Sequence, residues 1–118
     1  MKQKTVLIVD DEQEMAESLG RVIERRGIKA LTASTKEEAL KLYQENKPDC
    51  VFLDLHLSES KGTEVLKKLK EIDPKVKAYL LTGDLVFTER NTPESIGVEG
   101  FLLKPIEVED VFKIVEEL

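Results

Sequence analysis

Apolar runs of strand length alternate along this chain with segments whose apolar residues recur at helical spacing. The runs occupy residues 5–9, 28–33, 50–53, 77–81 and 101–103, and several of them are unbroken. Unbroken apolar strands are typical of a parallel sheet that helices cover on both faces. The pattern therefore predicts a buried parallel sheet of five strands.

The segments between and after the runs have the spacing of amphipathic helices. We expect four helices. The first is at about 13–26, the third at about 63–72 and the last at about 108–118. The second should begin at the capping-box pattern of Thr35 and Glu38 and stop before Pro48. Gly27 is expected to cap the first of these helices. The positions expected to face the core are Met15, Leu19, Val22, Ile23, Ala39, Leu42, Tyr43, Val65, Leu66, Leu69, Val108, Val111, Phe112 and Val115.

The stretch 84–99 has few apolar positions suited to a core, and Pro93 lies in its middle. Thr92 as N-cap and Pro93 at the first helical position predict a short late helix there instead of a full-length one. The resulting order of elements is βαβαβαβαβα. Because crossovers between parallel strands are nearly always right-handed, the helices must cover both faces of one open sheet. The predicted class is a doubly wound α/β fold.

Composition narrows the class of protein further. The 118 residues fit one domain, taken as 1–118, with 41% apolar residues for a core and 36% charged residues for a surface. Lys and Arg number 18 against 24 Asp and Glu, and the net charge of −6 argues against binding to nucleic acid or to an anionic membrane. One cysteine excludes a disulfide scaffold and a multi-cysteine metal site. With neither a signal peptide nor an apolar span, a cytoplasmic location is expected.

Polar residues follow four of the five predicted strands. Asp10 and Asp11 follow the first strand, Asp54 the third, Thr82 the fourth and Lys104 the fifth. In an open α/β sheet, ligands bind beyond the carboxyl ends of the strands, and in the strand order 2-1-3-4-5 the first and third strands flank the point where the order reverses. We therefore expect three carboxylates, one hydroxyl and one ammonium group to converge on a single crevice.

Each of these residues also has an ordinary structural explanation. An aspartate at a strand-to-helix turn is most often an N-cap, and a threonine or lysine there can be a cap or a surface group. His56, the single histidine, is expected to be a loop residue, and Cys50 a small core residue with no neighbour that would lower its pKa. These explanations would have to hold at four strand ends at once, which favours a common site.

Several motifs together resemble the response regulator receiver domain of two-component signalling. They are residues 6–12 (VLIVDDE), 51–55 (VFLDL), Gly62, 81–83 (LTG) and 101–105 (FLLKP), and the match covers essentially the whole chain. The resemblance implies a flavodoxin-like, CheY-like (βα)5 fold, a three-layer sandwich around a parallel sheet of order 2-1-3-4-5. It also implies a phospho-accepting signalling domain of a two-component system or phosphorelay, not an enzyme that acts on a separate metabolite.

By this resemblance, Asp54 is the phosphoacceptor. The resemblance also implies Mg2+, or Mn2+ in its place, bound directly by Asp11 and Asp54, through water by Asp10, and by the backbone carbonyl of His56. The chemistry of the residues agrees with these roles. Three carboxylates in one crevice repel each other, so a hard divalent cation is needed to hold them together. A carboxylate is also a competent nucleophile toward phosphorus.

The remaining roles are implied in the same way. Thr82 is similar to the family's switch hydroxyl, Lys104 to its phosphate-contacting lysine, and Phe101 to the aromatic residue that changes rotamer. The resemblance implies a cis peptide bond before Pro105. If Thr82 moves to bind a phosphoryl oxygen, it vacates space that Phe101 can fill, which turns a local charge event into a surface change.

The sequence departs from the family pattern at several positions. Ser58 stands where the family usually has proline. His56 and Asp84 correspond to positions that tune the lifetime of the phosphoryl group. The segment 84–99 matches the family's fourth helix poorly, which argues against strong dimerisation through that face, and we expect a monomer or a weak dimer.

The family implies a phosphohistidine donor, either a sensor histidine kinase or a histidine phosphotransfer protein, that docks near the first helix and the site loops. The downstream effector is unknown. One alternative is a receiver fold used for protein contacts without phosphorylation, against which the complete set of site residues argues. Another is a small aspartyl-phosphate phosphatase, which requires an aspartate general acid where this chain has His56. A flavodoxin is disfavoured, because acids occupy the loop where the FMN phosphate would bind.

Overall fold

Strands and helices alternate along the chain in a computed structural model that describes residues 3–57 and 60–118. Within those residues the strands are β1 Thr5–Val9, β2 Lys29–Ala33, β3 Cys50–Asp54, β4 Ala78–Thr82 and β5 Gly100–Leu103. The helices are α1 Gln13–Glu24, α2 Lys36–Asn46, α3 Gly62–Ile72, α4 Leu85–Arg90, α5 Pro93–Ile96 and α6 Val108–Glu116. Ser58, where the family pattern has proline, lies outside the described residues.

The strands form a parallel sheet in the order β2-β1-β3-β4-β5, which confirms the predicted doubly wound α/β class. Val9 of β1 pairs with Leu53 of β3, and Asp54 at the end of β3 pairs with Leu81 of β4. Because all strands point the same way, their carboxyl ends lie along one edge of the sheet. This edge carries the polar residues that follow the strands.

Alternate residues of the central strands pack into two apolar layers. On one face, Leu7 and Leu53 lie among buried residues of α2 and α3. On the other face, Ile8 and Phe52 lie with Ile23 of α1 and with the buried residues of α6. All five residues of β3 are buried, so this strand runs through the centre of the molecule. The helices thus form the outer two layers of the predicted three-layer sandwich.

Cys50 belongs to this core, as expected from the sequence. Its side chain is fully buried at the start of β3, and burial raises the pKa of its thiol to about 12. A thiol in such surroundings is unreactive at neutral pH.

The buried face of α1 is shifted by one position along the helix from the sequence prediction. Met15 was expected to face the core but is 44% exposed, and the buried residues are Ala16, Gly20 and Ile23. Small residues at the first two of these positions let the helix approach the sheet closely, since a Cβ on Gly20 would lie 3.5 Å from the Cβ of Ala30. A search for large apolar side chains misses a contact face made partly of alanine and glycine.

The exposure of the first residue of α6 also differs from the prediction. Val108 is 39% exposed, whereas Val111 and Val115 are buried as expected. Phe112 is half-buried, and the guanidinium of Arg26 lies 3.9 Å from its ring centroid. Arg26 also pairs with Glu116 at 3.0 Å, so α6 is joined to the end of α1 by polar as well as apolar contacts.

Two short helices, not one, fill the segment 84–99. The predicted N-cap is confirmed: the Thr92 hydroxyl accepts a hydrogen bond from the Ser95 amide, and Pro93 begins α5. Asp84 caps α4 in the same way, because its Oδ1 accepts from the amide of Phe87. Two caps eight residues apart leave room for a pair of short helices in place of a continuous one.

Among the described helices, none is both long and apolar enough to cross a membrane.

Candidate functional site

Three carboxylates meet at the carboxyl edge of the sheet. Asp10 follows β1 directly and Asp54 ends β3, and both are almost completely buried, while Asp11 is half-buried. One carboxylate oxygen from each residue lies within 4.8 Å of the others. The structure therefore brings together the acidic residues that the sequence placed at two strand ends.

The strand pairing explains this convergence. Val9 and Leu53 are register partners in adjacent strands, so the residues that follow them reach the edge side by side. The Asp10 amide donates to Ala33 O at 3.0 Å, which continues the sheet contacts one residue beyond β1. The Leu55 amide donates to Leu81 O, also at 3.0 Å, and fixes the chain just after Asp54.

Lys104 supplies positive charge to this cluster. Its Nζ lies 3.1 Å from Asp54 Oδ2 and 3.7 Å from Asp10 Oδ2, although β5 is separated from β3 by β4. Partial burial lowers the pKa of Lys104, but the hydrogen bond to Asp54 and the charges of Asp54 and Asp10 outweigh it, so the pKa is raised overall. The ammonium group therefore stays charged at neutral pH. The peptide bond from Lys104 to Pro105 is cis.

The ammonium group of Lys104 does not compensate the negative charge fully. Burial raises the pKa of Asp10 to about 6, and the charge of Asp54 raises it as well. The Glu12 amide, which donates to Asp10 Oδ1 at 2.9 Å, and the nearby Lys104 act in the opposite direction. Net repulsion between carboxylates in a shielded crevice is relieved by a cation.

The donor set fits a hard divalent cation. Carboxylate oxygens from three residues at one edge of the crevice match the ligands that Mg2+ and Mn2+ take, with water completing the coordination. The backbone amide of His56 donates to Asp54 Oδ1 at 3.1 Å, which fixes the orientation of that carboxylate. The ligand roles of Asp10, Asp11, Asp54 and the His56 carbonyl remain predictions.

Thr82 ends β4 beside the carboxylates. Its side chain is 1% exposed, and its Oγ1 accepts a hydrogen bond of 2.9 Å from the Asp84 amide. As the acceptor in that bond, the hydroxyl keeps its own hydrogen for another partner. The Lys104 amide donates to Thr82 O at 2.9 Å, so the chain segments that carry the hydroxyl and the ammonium group are joined directly.

Phe101, His56 and Asp84 surround this centre. Phe101 of β5 is half-buried and makes an edge-to-face contact with Phe87 of α4, with 5.8 Å between the ring centroids. His56 Nε2 lies 3.4 Å from Asp84 Oδ2 across the mouth of the crevice. The hydrogen bond from the Phe87 amide, with a smaller contribution from His56, lowers the pKa of Asp84. The sequence named both His56 and Asp84 but not their contact.

Gly62 has a structural role that the sequence motif did not explain. It begins α3, its amide donates to Leu55 O at 2.7 Å, and a Cβ at this position would lie 2.9 Å from the Cα of Leu55 and overlap the carbonyl oxygen of Asp54. Glycine is thus required for the close approach of α3 to the strand end that carries Asp54. Its fixed spacing after Asp54 was the one signal of this role in the sequence.

Removing one charge should stabilise the metal-free protein. Asp10→Asn keeps an acceptor for the Glu12 amide and removes both the cost of burying a charge and the repulsion with Asp54. Because the pKa of Asp10 is about 6 in the fold against its ordinary 3.8, the unfolded chain loses this proton first as pH rises from about 4 to about 6, and wild-type stability falls over that window. The advantage of Asp10→Asn should therefore be present above pH 6 and absent near pH 4.

Melting curves in EDTA at both pH values measure this effect. We expect Asp10→Asn to raise Tm by about 5 °C near neutral pH, the shift that roughly 1 kcal/mol produces in a chain of this size. Glu89→Gln removes an exposed carboxylate on α4 and is the matched control, expected to leave Tm unchanged. An equal gain at both pH values, or a loss at neutral pH, would show that the buried charge of Asp10 does not limit stability.

A cavity adjoins the carboxylate cluster on the side of α1. It has a volume of about 420 Å3 and runs from Asp10 and Lys104 outward between α1 and the segment that follows β5. Most of its lining residues are apolar, and they include Met15, Leu19, Ile106 and Val108. The two residues whose predicted burial was wrong, Met15 and Val108, thus line an open groove that leads to the site.

Comparisons with known proteins agree with this arrangement. Residues 6–116 match the family model described as response regulator receiver domain. The chain is 32% identical to the alkaline phosphatase synthesis transcriptional regulatory protein PhoP of Bacillus subtilis, over 92% of this chain and 45% of PhoP. It is 26% identical to sporulation initiation phosphotransferase F of the same organism, over 94% of this chain and 90% of that protein.

A solved structure shows the same architecture. The response regulator receiver domain protein (CheY-like) from Methanospirillum hungatei superposes with a TM-score of 0.85 at 26% identity, over 98% of this chain and 93% of that one. The chain spans about half the length of the first curated relatives that it matches.

Proposed function

This chain belongs to the response regulator receiver family, and on that premise we propose that Asp54 is the residue that accepts the phosphoryl group. The observation that supports this assignment best is the contact of 3.1 Å between Lys104 Nζ and Asp54 Oδ2, within a cluster of three carboxylates. Asp54 is the one carboxylate of the cluster that touches the ammonium group at hydrogen-bond distance and also accepts from a backbone amide, that of His56. It is therefore held in one orientation beside a fixed positive charge.

The chemistry required of this site is positioning and charge neutralisation. An oxygen of the Asp54 carboxylate attacks phosphorus, the bond from phosphorus to the donor breaks, and the donor leaves with that electron pair, so that an acyl phosphate remains on the side chain. Mg2+ bound by Asp10, Asp11, Asp54 and the His56 carbonyl would supply positive charge to the phosphoryl oxygens. Lys104 neutralises the oxygens on the other side, and the Thr82 hydroxyl donates to one of them.

Phosphorylation then changes the surface through Thr82 and Phe101. The new group adds nearly two negative charges and three acceptor oxygens. A Thr82 hydroxyl that turns toward them leaves its bond with the Asp84 amide, and Phe101 can enter the vacated space. Phe101 contacts Phe87, so its movement alters the packing of α4. His56 and Asp84 flank the phosphoryl group and are proposed to tune its lifetime.

The groove beside α1 supports a protein as the phosphoryl donor. An apolar wall that starts at Asp10 and Lys104 suits the side of a partner helix, and a phosphohistidine on that helix would reach Asp54. A sensor histidine kinase or a histidine phosphotransfer protein has this chemistry.

We propose that residues 1–118 form a cytoplasmic signalling domain that acts on no separate metabolite. We also propose that it is a monomer or a weak dimer.

Intact-mass spectrometry with a small phosphoryl donor tests this function. With acetyl phosphate or phosphoramidate and Mg2+, the protein should gain one phosphoryl group that base removes, and EDTA should prevent the gain. Without Mg2+ the three carboxylates repel the incoming phosphoryl group, so the dependence on metal follows from the cluster. A protein that gains no phosphoryl mass from either donor would support the alternative, a receiver fold used for contacts without phosphorylation.

A further inference from the structure

Helix α4 has few contacts that hold it in place. All six of its residues lie in the described part of the chain, and none of them is buried. Leu85 and Val86 are 59% and 57% exposed. The ring of Phe87 packs on Phe101, and Asn91 donates from both its backbone and its side chain to Phe87 O at the far end. The position of the helix therefore depends heavily on its first residues.

Asp84 carries the bonds that fix those first residues. Its Oδ1 accepts from the Phe87 amide at 3.0 Å and its backbone oxygen from the Thr88 amide at 3.2 Å. Its own amide donates to Thr82 Oγ1 at 2.9 Å. Its remaining oxygen, Oδ2, lies 3.4 Å from His56 Nε2. Two of the links from Asp84 thus end on residues next to the carboxylate cluster.

His56 is a firm point of attachment for this contact. Its backbone amide donates to Asp54 Oδ1, and its backbone forms an antiparallel bridge with Lys61. The loop closes where the Gly62 amide donates to Leu55 O. The backbone of His56 is therefore held by both the end of β3 and the start of α3. With its proton on Nε2, the imidazole of this residue donates to Asp84.

We propose that the contact between His56 Nε2 and Asp84 Oδ2 is a latch that holds the start of α4 beside the phosphoacceptor loop, and that phosphorylation of Asp54 opens it. The opening step rests on the proposed function. A phosphoryl group on Asp54 offers three acceptor oxygens two residues from His56 and competes with Asp84 for the imidazole N–H. It also draws the Thr82 hydroxyl away from the Asp84 amide. Asp84 then keeps its cap on α4 but loses both links to the site.

Amide hydrogen exchange of Phe87 and Thr88, followed by NMR, tests the latch in the unphosphorylated protein. His56→Ala should speed exchange of these two amides by about two- to fivefold, the range expected for loss of one exposed polar side-chain contact. His56→Gln retains a side-chain N–H and should restore most of the protection. The Ile96 amide, which donates to Thr92 O in the capped helix α5, should not change. Unchanged exchange at Phe87 in His56→Ala would overturn the latch.

A matched control separates this contact from ion pairs in general. Lys68 and Glu71 form another exposed pair, with 3.5 Å between their charged atoms, on α3. Lys68→Ala should leave the Phe87 and Thr88 amides as they are in the wild type. Faster exchange of these amides in Lys68→Ala would mean that α4 responds to any loss of surface charge pairing, and would overturn the specific role of His56.

Phosphorylation of the protein tests whether the latch opens. Acetyl phosphate with Mg2+ should speed exchange of Phe87 and Thr88 in the wild type, and should do so less in His56→Ala because the latch is already open there. An equal increase in both proteins would overturn the release step. A wild type that takes up no phosphoryl group would overturn the proposed function and the release with it, whereas the comparison of unphosphorylated proteins decides the latch independently.

Discussion

Asp54→Asn is expected to abolish phosphorylation of this chain. The amide oxygen of asparagine is a poor nucleophile toward phosphorus, and the variant keeps the volume of the side chain and an acceptor for the His56 amide. It also removes the charge that Lys104 Nζ contacts at 3.1 Å. Asp10 Oδ2 lies 3.7 Å from Lys104 Nζ, so this neighbouring carboxylate lacks the hydrogen-bond contact that holds Asp54 beside the positive charge. We expect incorporation to fall by about 100-fold or more.

The measurement is the intact mass after incubation with acetyl phosphate and Mg2+, with the modified residue located by peptide mapping. Asp49→Asn is the matched control, since Asp49 directly precedes the same strand at its opposite end and is exposed. That variant should be phosphorylated at the wild-type rate. Undiminished incorporation in Asp54→Asn would assign the phosphoryl group to another residue and refute the proposed role of Asp54.

Gly62→Ala is expected to destabilise the fold more than other glycine substitutions and to disturb the site at the same time. The added methyl group would overlap the carbonyl oxygen of Asp54 and lie 2.9 Å from Leu55 Cα, and both of these atoms are backbone. A flexible side chain could move aside, but the end of β3 is held by the Leu55 and Gly62 amides. Overpacking of this kind costs about 1–3 kcal/mol, and the upper end is expected where the atoms that must move are backbone.

Urea unfolding of Gly62→Ala and the wild type measures this loss, and phosphorylation under native conditions shows whether Asp54 has moved. Gly20→Ala is the control, because a Cβ on Gly20 meets Ala30 at an ordinary contact distance of 3.5 Å. Alanine favours helix over glycine, so Gly20→Ala should stabilise by about 0.5–1 kcal/mol. If Gly62→Ala unfolds at the same urea concentration as the wild type, the close packing of α3 on the end of β3 does not hold in solution.

The sequence predicted the elements of this fold better than the faces they present. Strand β1 was placed at its observed bounds, and Thr92 with Pro93 located a helix start inside an otherwise weak segment. Spacing and capping chemistry are local, so they can be recognised without knowledge of the neighbours. The exposure of Met15 could not be recognised in this way. It depends on the close approach of α1 through Ala16 and Gly20, which is a property of helix and sheet together.

For the site, the sequence by itself determined which groups stand at the strand ends. A parallel sheet brings its carboxyl ends to one edge, so Asp10, Asp54 and Thr82 had to meet once the strands were recognised. The tertiary structure alone decided how these groups act on one another. Lys104 reaches past β4 to Asp54, and His56 contacts Asp84, although the residues of each pair lie far apart in the chain. The burial that raises the pKa of Asp10 likewise comes from packing of the whole fold. Distances and burial of this kind depend on packing across the whole molecule, because no local pattern specifies the separation between two side chains on different elements.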